Sequence, residues 1–95
     1  MTSASPVYLH RHLEPVAQWL ADDEITDIYI NRPGEVWLER SAGSIERVEV
    51  GELTPVVLER LARQIAAFSS QAISREHPIL SASLPEGARV QIVMP

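Results

Sequence analysis

One amphipathic helix flanked on both sides by strand-like runs constrains this chain most. Thr54-Pro55 puts a capping side chain directly before a proline, whose missing N–H costs nothing in a first helical turn. Leu58, Leu61, Ile65 and Phe68 then recur at steps of three, four and three, while Glu59, Arg60, Arg63 and Gln64 fall on the opposite side. A helix with a single apolar stripe has to bury it. The segments around it alternate with period two, so its partner is a sheet with one wet face.

Those segments read as five strands. Ile25 to Asn31 is rich in β-branched and aromatic residues, Pro33-Gly34 supplies a turn, and Val36 to Arg40 follows. For Ile28 and Ile30 to share a face with Val36 and Leu38, this hairpin needs an odd loop or a bulge; a plain two-residue hairpin would set Trp37 beside Ile30. Gly43 marks the next turn, and Ile45 to Val50 completes a three-stranded meander. Beyond the helix lies a polar stretch around Ser69 to Ser74, and His77-Pro78 ends local helicity. Ile79 to Leu84 and Ala88 to Met94 form a closing hairpin around Pro85-Glu86-Gly87.

At the N-terminal end Ser5-Pro6 repeats the cap-then-proline signal, and Leu9, Leu13, Val16 and Leu20 form one stripe that Pro15 must kink or restart. Trp19 is expected in the core or beneath the sheet. The fold class is therefore α+β: one domain over residues 1–95, with an antiparallel sheet (meander plus C-terminal hairpin) covered by two main helices. The chain stops at Pro95 directly after a strand, which reads as a boundary inside a longer polypeptide.

Several chemistries find no support. Ninety-five residues allow one modest core. There is no cysteine, so neither a disulfide framework nor a thiolate metal site is available. The net charge is -5, with arginines scattered rather than clustered, which disfavours direct nucleic-acid binding. Asp22, Asp23, Glu24 and Asp27 lack the alternation of a calcium loop and read as a solvated helix end or loop. His10, His12 and His77 do not converge as zinc ligands. No serine lies in a Gly-x-Ser-x-Gly elbow, and with no lysine and only four separated glycines there is no phosphate-cradling loop. The first 20 residues lack the apolar core of a signal peptide. Nothing here is expected to be catalytic alone.

Three strings carry a resemblance: Ile25-Thr26-Asp27-Ile28-Tyr29-Ile30-Asn31-Arg32-Pro33-Gly34-Glu35-Val36-Trp37; Leu61-Ala62-Arg63-Gln64-Ile65-Ala66-Ala67-Phe68-Ser69; and His77-Pro78-Ile79-Leu80-Ser81-Ala82-Ser83-Leu84-Pro85-Glu86-Gly87-Ala88-Arg89-Val90-Gln91-Ile92-Val93. In order and spacing they resemble the N-terminal domain of the hexameric traffic ATPases of type IV secretion and of their relatives in conjugative transfer. The resemblance implies a longer parent that uses ATP with Mg. Its N-terminal domains would form one ring and its nucleotide-binding domains another, with ATP between them. It also implies partners among the secretion components and a cytoplasmic place, peripheral to the inner face of the bacterial inner membrane.

Within this half the resemblance implies that Arg89 reaches the nucleotide phosphates, to which a guanidinium fork is suited. The residues alone favour an arginine on the wet side of a hairpin, paired with an acid such as Glu86. Ser41 matches a position that approaches the sugar or base. Family members often carry glutamate before the arginine, where this chain has Ala88, which puts a local salt bridge to orient Arg89 in doubt. Asn31 and Arg32 read as structural residues of the hairpin, with subunit contact as the alternative. Tyr29 and Trp37 read as buried in the fold, with an interface pair as the alternative. The runner-up function is a stand-alone α+β interaction or small-ligand-sensing module.

Overall fold

The computed structural model describes residues 14–69, 78–84 and 88–93. The expected helix before residue 14, the stretch 70–77 with His77, the turn 85–87 and the side chain of Phe68 lie outside them. Pro15 stands in a 3-10 turn, Glu14–Val16, and one α turn follows as α1, Ala17–Leu20. Then come β1 (Ile25–Arg32), β2 (Glu35–Arg40), β3 (Ile45–Glu49), α2 (Pro55–Phe68), β4 (Ile79–Ser83) and β5 (Arg89–Val93).

The five strands form one sheet in the order β3-β2-β1-β5-β4. Within the meander and within the closing hairpin every pairing is antiparallel, as expected. The two halves join through a single parallel pair, β1 with β5, in which Asp27 stands beside Arg89 and Ile28 beside Val90. Nothing local in the sequence encodes that junction. It follows from α2, which carries the chain across the sheet so that the hairpin arrives on the free side of β1.

The hairpin β1–β2 solves its parity problem with bulges. Its register slips between Tyr29 and Arg32 and again between Ile25 and Asp27. The first slip brings Ile28, Ile30, Val36 and Leu38 to one face, all fully buried, and sets Trp37 opposite Tyr29 rather than beside Ile30. The second, at Thr26, shifts the phase by one residue, so Ile25 and Ile28 both enter the core although they are three apart. Gly34 makes the tight turn with φ 81°. Asn31 and Arg32 end the strand, and the left-handed backbone belongs to Gly34 instead.

The inner face of the sheet, completed by Leu80, Ala82, Val90 and Ile92, shares one core with Leu58, Leu61, Ala62 and Ile65 of α2 and with Val16, Trp19 and Leu20. Each large aliphatic side chain buried there contributes about 1.5–3 kcal/mol. Thr54 caps α2, its hydroxyl accepting the Val57 N–H at 3.3 Å. The outer face carries no helix among the described residues, and mostly polar side chains occupy it, with Tyr29, Trp37 and Ile45 among them.

Candidate functional site

Every second residue of the strands points to that open face. Across it run two rows fixed by strand register: Arg47, Trp37, Tyr29, Gln91 and Ser81 in one, and Ile45, Glu39, Asp27, Arg89 and Ser83 in the next. Tyr29 and Trp37 are thus neighbours on the outer face, half-buried rather than in the core. The bulge decided this. By turning Ile28 and Ile30 inward it left the aromatic residues between them and beside them on the other side.

One group of side chains surrounds Glu35. Its carboxylate accepts from Arg32 Nη2 at 3.0 Å, from Trp37 Nε1 at 3.0 Å and from Arg47 Nε. Hydrogen bonds from Arg32, Arg47 and Trp37 hold the Glu35 carboxyl down to about 2. Tyr29 Oη donates to Glu39 Oε1 at 2.7 Å, and that bond raises the phenol above its ordinary value, with burial and the nearby carboxylates adding to it. Arg40 reaches Asp22 at 3.4 Å and Glu46 at 3.2 Å. These contacts stitch β1, β2 and β3 together, although the Arg32 side chain stays 67% exposed.

The second group differs. Arg89 Nε donates to Asp27 Oδ1 at 2.8 Å, and Asp27 Oδ2 accepts from Thr26 Oγ1 at 2.8 Å. The Asp27 side chain is 11% exposed, whereas that of Arg89 is 70% exposed. The terminal guanidinium nitrogens make no hydrogen bond to the described residues. Two hollows, of about 310 and 460 Å³, meet at this pair, and Asp27, Ser83 and Arg89 line both. Tyr29, Ser81 and Gln91 complete the first; Asp22, Asp23 and Thr26 border the second. Among the described residues the walls hold no lysine or histidine. The arrangement can grip an anion from one side.

Sequence reasoning placed Arg89 on an exposed face and sought its acid at Glu86, which lies outside the described residues. The acid is Asp27, 62 residues away in sequence. A signal existed: Asp27 is a lone charge in the middle of β1, Arg89 is the only charge in β4 or β5, and such charges seldom sit in a sheet unpaired. Ser41 is exposed in the β2–β3 turn, where its N–H donates to the Glu24 carbonyl at 2.7 Å. Neither hollow at Arg89 includes it.

No family model matches the chain. It is 48% identical over 84 residues to the type IV secretion system protein VirB11 of Brucella suis, and the match covers 88% of this chain. Over that stretch the chain is homologous to VirB11. It is also 45% identical over 84 residues to the type IV secretion system protein PtlH of Bordetella pertussis, again over 88% of its length. The crystal structure of the Brucella suis VirB11 ATPase in complex with sulphate superposes with a TM-score of 0.74 at 45% identity, over 92% of this chain and 26% of that one. The chain spans about a quarter of the length of the VirB11 and PtlH relatives it matches. Among its described residues no helix is long and apolar enough to cross a membrane, and no group of three His, Cys, Asp or Glu side chains gathers as a metal site.

Proposed function

We propose that this chain is the N-terminal domain of a type IV secretion ATPase subunit and supplies one wall of the nucleotide pocket, with Arg89 meeting the phosphates. The observation that carries the reading is the Arg89 side chain, held by its Nε edge on an open sheet face beside a hollow, with its terminal nitrogens making no hydrogen bond to the described residues. That geometry fits one bidentate contact to an ATP phosphate. It does not fit a full cradle, because the chain has no lysine and no run of glycines. The phosphate loop, the Mg ligands and the hydrolytic groups therefore belong to the second domain of the full-length protein. Homology to VirB11 and PtlH supports the same assignment.

The wider reading follows from that family. The subunit works in a hexameric ring alongside other secretion components, peripherally at the cytoplasmic face of the inner membrane. Its open sheet face turns toward the nucleotide rather than toward bulk water. Ser41, exposed at the β2–β3 turn, is the second proposed contact, on the sugar or base side.

The test is steady-state ATP hydrolysis by the full-length protein carrying Arg89→Ala. A charge-assisted hydrogen bond contributes about 1.5–3 kcal/mol, so KM for ATP is expected to rise roughly ten-fold or more while the melting temperature stays near that of the parent. An unchanged KM and kcat would remove Arg89 from the nucleotide site. Ser41→Ala is expected to have a smaller effect in the same assay.

A further inference from the structure

The pairing of Asp27 with Arg89 has a function beyond neutralising two charges. We infer that Asp27 is a positioning residue: it clamps the Nε edge of Arg89 so that the terminal nitrogens of the fork are already aimed at the phosphate before nucleotide arrives. The inference rests on the reading of Arg89 as a nucleotide contact and adds to it the residue that orients the contact.

Four observations combine here. Asp27 and Arg89 are register partners on β1 and β5, the two strands of the single parallel pair, so their backbones are held by the sheet. The bond between them uses Nε, the one guanidinium donor that a bidentate grip through the two terminal nitrogens does not need. The carboxylate is itself fixed, because its other oxygen accepts from Thr26, whose hydroxyl also lies 3.3 Å from the Glu39 carbonyl at the bulge. Finally, the burial is one-sided: the acid is nearly enclosed while the cation projects into both hollows. A simple surface ion pair would leave both ends free to wander. Here a shielded anchor holds an exposed arm, which lowers the ordering cost of binding. The acids at the rim are less suited to the role, since Asp22 already accepts from the Glu24 amide at 2.9 Å and from Arg40.

The experiment is a double-mutant cycle in the full-length protein, reading KM and kcat for MgATP together with the melting temperature. Asp27→Ala is expected to raise KM roughly three- to ten-fold with kcat at saturation nearly unchanged, as for a lost preorganising contact. In the Arg89→Ala background it is expected to add nothing. If Arg89→Ala raises KM and Asp27→Ala does not, the positioning role is overturned while the nucleotide contact stands; effects that simply add overturn it too. If Arg89→Ala has no effect, the contact itself fails, and the inference with it. Should Asp27→Ala fold poorly, Asp27→Asn keeps the shape and removes the charge, and the same cycle decides the matter.

Discussion

The Gly34 N–H donates to the Leu53 carbonyl at 2.8 Å, and the Val50 N–H returns a bond to the Gly34 carbonyl at 2.9 Å. The β1–β2 turn and the loop from β3 into α2 therefore hold each other, and Leu53, 1% exposed, is pinned beneath the helix it precedes. Gly34 sits at the hinge of this arrangement with φ 81°, where an added Cβ would meet nothing within 4 Å. Gly34→Ala is thus a test of backbone strain alone. It is expected to lower stability by about 1–2 kcal/mol in urea denaturation. Gly51→Ala, equally uncrowded and without a positive φ, serves as the control and is expected to be neutral or mildly stabilising.

Leu61 is fully buried where α2 meets the sheet, while Val56 on the first turn of the same helix is 59% exposed. Leu61→Ala is expected to cost about 2–5 kcal/mol through lost burial and the cavity left behind. Val56→Ala is expected to stay within about 0.5 kcal/mol of the parent. Equal midpoints for the two variants would contradict the packing described.

Glu35 gives a signed dependence on pH. Its folded value, about 2, lies below the ordinary 4.5, so its stabilisation is present above 4.5 and is lost as pH falls toward 2. Across that window the melting temperature of the parent is expected to fall more steeply than that of Glu35→Gln, which cannot titrate. Parallel profiles would show that the three donors around Glu35 do not hold its charge.

Tyr29 behaves in the opposite sense. Its phenol is raised above 10.0 by donation to Glu39, so the bond is intact below 10.0 and breaks as pH climbs through the raised value. Alkaline ultraviolet absorbance of this two-tyrosine chain is expected to show a late phase that Tyr29→Phe abolishes. A late phase that survives the substitution would assign it to Tyr8.

Local pattern explains what could be foreseen. Leu58, Leu61 and Ile65 announce the buried stripe of α2, and Thr54-Pro55 its start, because capping and periodicity act within a few residues. The bulge in the first hairpin was legible for a similar reason: Ile28, Ile30, Val36 and Leu38 cannot all reach one face without it. The parallel junction was not legible, since apart from the charges Asp27 and Arg89 the strands β1 and β5 show no feature that selects each other until α2 has set the crossover. The same distance concealed the partner of Arg89. Tyr29 and Trp37 were misjudged because large aromatics suit a core, yet their strand phase, fixed by neighbouring isoleucines, sends them outward. Gln64 departs in the other direction, half-buried on a helix face that reads as wet.

The parallel seam between β1 and β5 bears on synthesis. As the polypeptide leaves the ribosome, the meander and α2 emerge first, and the Asp27–Ile30 edge of β1 waits with its amides and carbonyls unmet until Arg89–Ile92 follow. Such an edge can recruit a strand from any nearby nascent chain, and closing so distant a contact is slow. A message broken before codon 89 should therefore yield no smaller working unit, only a half-zipped sheet that pulse proteolysis would find cleavable throughout.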